Sequence, residues 1–165
     1  MPQITMKNQI KKEYVIILID DDEDDQEIFS EALKVAKPEL KFCSIRNDSE
    51  LYAFFESKTV PYMFFLDWSF QCNFENKCLE LIKQQQHLRI VPVIIYSGLN
   101  APNEISDQYE KGATLFINKP PSHHELTKIL KILVNLNWDQ FNLQDAKKRL
   151  MGKIAAIKFP ENIRF

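Results

Sequence analysis

Cysteine is scarce and poorly spaced for chemistry. Cys43, Cys72 and Cys78 are the only three in 165 residues, odd in number and with no CxxC pair. That argues against a zinc site or a disulfide framework and predicts reduced, partly buried thiols. Long apolar runs are missing too. Residues 1–14, MPQITMKNQIKKEY, hold no stretch suited to a signal peptide, and no later run could span a bilayer. Charge of one sign is not in surplus: 21 basic side chains against 23 acidic ones give a net −2. Bulk positive charge therefore does not steer this chain toward nucleic acid. Neither internal repeats nor low-complexity linkers divide it. With 45% apolar residues, 165 residues suffice for one folded domain with a real core. The expectation is a soluble cytoplasmic domain that neither enters a membrane nor binds DNA directly.

What is present is a series of short, continuously apolar runs rich in Val, Ile and Phe. They are VIILI (15–19), YMFFL (62–66), VPVIIYS (91–97) and TLFINK (114–119), with a weaker LKFCSI at 40–45. Runs without polar alternation suit strands buried on both faces, hence a parallel sheet covered by helices. Segments of helical period lie between them. Ile28, Phe29, Ala32, Leu33 and Ala36 form one stripe; Leu51, Phe54 and Phe55 mark a second helix, Leu79 and Ile82 a third. NEISDQYEKG predicts a fourth that stops at Gly112. SHHE, 122–125, is a capping box opening a fifth through Leu126, Ile129, Leu130, Leu133 and Leu136. The order predicts an α/β fold: a doubly wound, five-stranded parallel sheet with helices on both faces, whose ligands gather beyond the carboxyl ends of the strands. After about Asn137 the pattern fades, and residues 139–165 are too few for a second domain.

The first strand runs directly into six acids, in VIILIDDDEDDQEIF. Two carboxylates about 4 Å apart repel by about 4 kcal/mol at an effective dielectric near 20, so water or a cation is needed beside them. Asp20 and Asp21 follow strand one, Asp67 ends strand three, Ser97 strand four, and Lys119 strand five. Carboxylates with an open side suit Mg²⁺, which keeps several waters beside one or two protein carboxylates. The lysine offers a point charge to a phosphoryl oxygen, and the serine a hydroxyl donor. Asp67, between FFL and Trp68, is placed to attack phosphorus in line. Asp22, Glu23, Asp24 and Asp25 read as solvated acids of a first helical turn.

ILIDDDEDDQEIF, MFFLDW, VPVIIYSG and GATLFINKPP together resemble the receiver domains of two-component response regulators, over roughly residues 14–138. Spacing supports the resemblance, with Ser97 thirty residues past Asp67 and Lys119 twenty-two past Ser97. It implies a flavodoxin-like (βα)5 fold and a stand-alone receiver, similar to chemotaxis receivers, with no output domain in 139–165. Asp67 is then the phosphoacceptor, and Asp20, Asp21, Asp67 and the Ser69 backbone carbonyl hold Mg²⁺. Ser97 and Lys119 meet the phosphoryl group, and Gly98 leaves it access. Ser97 and Phe116 form the switch, with Phe116 turning inward on activation. The implied partners are a sensor histidine kinase or phosphotransfer protein and an unidentified downstream protein, the receiver being a monomer or weak homodimer and not an enzyme. Two other readings are an aspartyl-phosphate phosphohydrolase and a degenerate receiver that binds without phosphorylation. DWSFQCNFENKCLEL departs from the family, lacking its Pro and Gly and carrying a few extra residues. His87, His123 and His124 stand at helix ends and do not predict phosphotransfer. The tail carries basic residues from Lys147 to Arg164 with Phe141, Phe159 and Phe165; a basic docking strip is one reading, and an ordered extension packed on the domain is the expectation.

Overall fold

The computed structural model describes residues 13–70, 78–98 and 102–160. The expectations about the first twelve residues, about most of the insertion after Asp67 (71–77), and about Arg164 and Phe165 lie outside these. Element order is β1 (Val15–Ile19), α1 (Glu23–Ala36), β2 (Lys41–Ile45), α2 (Asp48–Glu56), β3 (Met63–Asp67), α3 (Cys78–Gln84), β4 (Val93–Ser97), α4 (Pro102–Glu110), β5 (Leu115–Asn118), α5 (His123–Leu133), α6 (Leu143–Leu150) and β6 (Ile157–Lys158). A single 3₁₀ turn, Trp138–Gln140, precedes α6.

The five apolar runs are the five parallel strands, in the order β2-β1-β3-β4-β5, and all of β1, β3 and β4 is buried. Alternate residues feed two cores, as a pleated strand requires. Ile17, Ile19, Phe64, Leu66, Ile95 and Phe116 meet α2, α3 and α4. Ile16, Leu18, Phe65, Ile94 and Ile117 meet α1, α5 and α6. In the second core Phe29 sets its ring edge-on to Phe65, 4.8 Å between centroids. Burying each such side chain stabilises the fold by about 1.5–3 kcal/mol.

Helix ends follow local chemistry. Asp22 caps α1 by accepting from the Asp24 and Asp25 N–H groups, and Ser122 caps α5 through the Glu125 N–H at 3.2 Å. Gly112 follows α4 with φ +103°, the left-handed backbone that a side chain resists.

Three points differ from the sequence reading. The sheet has a sixth strand: β6 runs antiparallel to β5, pairing Phe116 with Lys158 and Ile117 with Ile157. Two residues of a basic, mixed tail carry no strand signal of their own, and docking supplies it. Ala146, Leu150, Ile154 and Ile157 bury the extension against the α1 and α5 side. Ile28, counted in the α1 stripe, is 44% exposed, because the face toward the sheet is Phe29, Ala32 and Leu33. Cys43 is a free thiol as expected but exposed rather than partly buried, whereas Cys78 is disulfide-bonded. Among the described residues, no helix is long and apolar enough to cross a membrane.

Candidate functional site

Strand register decides which side chains meet. Ile19 lies beside Leu66, Asp67 beside Tyr96, and Ser97 beside Asn118. The carboxyl ends of β1, β3, β4 and β5 are therefore level, and Asp20, Asp67, Ser97 and Lys119 share one sheet edge. Asp20 is fully buried, Asp67 and Ser97 nearly so, and Asp21 is exposed. One carboxylate oxygen from each of Asp20, Asp21 and Asp67 lies within 4.8 Å of the others.

Backbone contacts hold this edge in place. The Asp20 N–H donates to the Ile45 carbonyl at 3.0 Å, and the Asp22 N–H to Asp20 Oδ1 at 2.9 Å. Gln26, buried on α1, donates through Nε2 to the Asp20 carbonyl at 2.7 Å and fixes the helix onto the strand end. The Lys119 N–H donates to the Ser97 carbonyl at 2.8 Å. Asp67 Oδ1 accepts from the Ser69 N–H at 3.2 Å, and the Ser69 hydroxyl donates to Asp67 Oδ2.

The Lys119 ammonium lies among the acids, 2.5 Å from Asp25 Oδ2, 3.1 Å from Asp20 Oδ2 and 3.6 Å from Asp67 Oδ2. Its other side faces the Tyr96 ring, 5.3 Å from the centroid, a cation over an aromatic face. Burial pulls the lysine's pKa down, but the bonds and charges of Asp25, Asp20 and Asp67 outweigh it and raise it above the usual lysine value. Burial raises the Asp20 pKa, and repulsion from Asp67 adds to that. The Asp22 N–H and Lys119 oppose both without cancelling them. Asp20, Asp21 and Asp67 are thus a group of carboxylates that could hold a metal ion.

Space around Asp67 is asymmetric. The cavity on its Trp68, Phe70, Leu79 and Gln108 side is about 10 Å³, room for one water at most. At the other side Asp21 is exposed, and a Cβ added at Gly98 would meet nothing within 4 Å. Among the described residues, that side offers a tetrahedral group the more open approach to Asp67.

Solved structures with this arrangement of elements are numerous. The phosphorylated cyanobacterial phytochrome response regulator RcpA is 21% identical, with a TM-score of 0.64 over 73% of this chain and 91% of its own. The Mn²⁺-bound response regulator Rcp1 is 20% identical, with a TM-score of 0.64 over 78% and 96%. The chemotaxis response regulator CheY4 of Vibrio cholerae is 16% identical, with a TM-score of 0.60 over 72% and 97%.

The fold is that of response regulator receiver domains.

No family model matches the sequence, and no curated protein matches it either. Set on the receiver fold, the expected residues Asp20, Asp21, Asp67, Ser97 and Lys119 fall together at one strand-end edge. Phe116, the expected switch residue, lies inside in this structure, 2% exposed in the core of Ile95, Ile105 and Ala113. Its N–H donates to the Tyr109 hydroxyl at 3.0 Å, and that hydroxyl donates to the Lys158 carbonyl at 2.7 Å. With β6 covering the edge, β5 is an interior strand and residue 116 faces α4. Three residues escaped sequence reasoning: Asp25, one acid among six; Gln26, polar yet facing the sheet; and Tyr96, read only as part of an apolar run.

Proposed function

We propose that residues 14–138 are a phosphoacceptor receiver unit, with Asp67 the accepting carboxylate, and that residues 139–165 are an extension without an output activity. The level strand ends support this reading: three carboxylates, a serine and a lysine converge beside the open space at Gly98. A carboxylate oxygen of Asp67 attacks phosphorus in line, and the bond from phosphorus to the donor breaks as the new P–O bond forms. The donor group, a phosphohistidine of a sensor kinase or phosphotransfer protein, leaves with the electron pair of that bond. Lys119 balances charge on a phosphoryl oxygen, and the Ser97 hydroxyl donates to another. Receivers of this kind act in the cytoplasm on a downstream protein, as monomers or weak dimers.

Asp20, Asp21 and Asp67 fit a hard divalent cation, since all are oxygen donors and the exposed Asp21 leaves room for retained waters. The Ser69 carbonyl is a further candidate ligand. Mg²⁺ in that position would neutralise charge on the transferring group.

A small phosphodonor with Mg²⁺ tests the reading. One base-labile phosphoryl group should form on the wild-type protein and none on Asp67→Asn. Undiminished labelling of that variant refutes Asp67 as acceptor. No labelling of the wild type favours a phosphorylation-independent binding module, for which the Ser69 hydroxyl already bonded to Asp67 Oδ2 is the supporting contact.

A further inference from the structure

Asp25 has no part in phosphoacceptor chemistry, yet it makes the shortest ion pair in the site. Lys119 Nζ stands 2.5 Å from Asp25 Oδ2, against 3.1 Å from Asp20 and 3.6 Å from Asp67. Asp25 is also the wettest of the three, its side chain 35% exposed against 0% for Asp20 and 5% for Asp67. Attraction grows as water is excluded, so an ammonium free to choose would settle between Asp20 and Asp67. In the structure it does bond Asp20 and stands 3.6 Å from Asp67, yet it lies nearest Asp25, at the start of α1.

The mount that draws it there is rigid. Asp22 caps the helix by accepting from the Asp24 and Asp25 N–H groups at 2.9 and 3.1 Å. Gln26, the next residue, ties α1 to the Asp20 carbonyl. The Asp25 carboxylate therefore projects from a first turn fixed at both sides.

We propose that Asp25 is a positioning residue that draws Lys119 toward the start of α1 and away from Asp67, its farthest partner of the three. It thereby leaves more of the Asp67 charge to a cation in the resting protein and gives up the ammonium when a phosphoryl oxygen on Asp67 competes for it. A phosphoryl group brings nearly two negative charges against the single charge of Asp25, and the flexible four-carbon stem of lysine can follow it. This inference rests on the receiver reading for its phosphoryl half only.

Its two halves change in opposite directions when Asp25→Asn removes the charge. Lys119 then moves closer to Asp67 and competes with Mg²⁺, weakening Mg²⁺ binding about fivefold, the order a partly screened ion pair commands. At saturating Mg²⁺ the lysine no longer has to be withdrawn from Asp25. Uptake of beryllofluoride, which stands in for the phosphoryl group, should tighten by a similar factor.

The experiment measures both by Trp68 fluorescence in wild type, Asp25→Asn, Lys119→Met and the double variant. In the Lys119→Met background the Asp25→Asn effect on Mg²⁺ should shrink to below about twofold, the loss of a through-space charge alone. Equal effects on Mg²⁺ in both backgrounds overturn the proposal. So does a weakening of beryllofluoride together with Mg²⁺ in Asp25→Asn, the pattern expected of local damage, which decides the matter even if the Lys119 variants fail to fold. If the wild type takes up no beryllofluoride at all, the receiver reading fails, and the Mg²⁺ cycle still judges Asp25.

Discussion

Tyr109→Phe deletes one oxygen that links three elements. The hydroxyl, at the end of α4, accepts from the Phe116 N–H of β5 at 3.0 Å and donates to the Lys158 carbonyl of β6 at 2.7 Å. Phe116 is 2% exposed, so its N–H gains no water when the hydroxyl goes. An orphaned buried donor costs about 1–3 kcal/mol. The Lys158 carbonyl belongs to a half-buried residue at the sheet edge, where water can replace the lost bond for a few tenths of that. The ring itself keeps its packing, so the expected loss is about 2 kcal/mol. For a chain of this length that lowers the melting temperature by about 4–8 °C. Urea denaturation gives the stability change, and amide exchange at Phe116 and Lys158 shows where it falls. Exchange should accelerate there first, because β6 has only two residues. A stability change within about 0.5 kcal/mol, with the Phe116 amide protected as before, would refute the assignment of the hydroxyl as the bridge.

Three further outcomes are expected. Asp21→Ala should abolish Mg²⁺-dependent quenching of Trp68, since one of three convergent carboxylates is lost; quenching that persists unchanged counts against the ligand set. Ser97→Ala should leave Asp67 able to accept phosphate while uncoupling the response of residues 102–120, read as amide exchange with and without beryllofluoride. An identical response in both proteins rules out Ser97 as the link. Burial pulls the Lys83 ammonium down to about 8, whereas an unfolded lysine keeps its proton to about 10.4. Between those values the unfolded chain binds the extra proton, so stability rises with pH through that window. Urea midpoints near pH 8 and pH 10 should rise more for wild type than for Lys83→Met, and equal slopes contradict the depressed value.

The sheet was legible because its strands are buried on both faces. VIILI, MFFLD and VIIYS leave no polar alternation, and a parallel sheet is the usual home of such runs. Once strand ends are level, Asp20, Asp67, Ser97 and Lys119 must share an edge, which is why spacing alone collected them. Asp25 was hidden by its neighbours. Six acids in a row look alike in sequence, and the rotation of α1 about its Asp22 cap brings Asp25 to Lys119 beside the strand-end Asp20. β6 was hidden for the opposite reason: Ile157–Lys158 has no signal to read, and its pairing exists because α6 packs the tail against α5 and brings it to the open edge of β5.

The most direct measurement is to trap the acyl phosphate on the protein. After treatment with a small phosphodonor and Mg²⁺, borohydride reduces an aspartyl phosphate to homoserine and leaves ordinary aspartates untouched. Peptide mass spectrometry should find homoserine in place of Asp67 and nowhere else, and only when Mg²⁺ is present. Homoserine at another aspartate, or none at all after full treatment, contradicts the account.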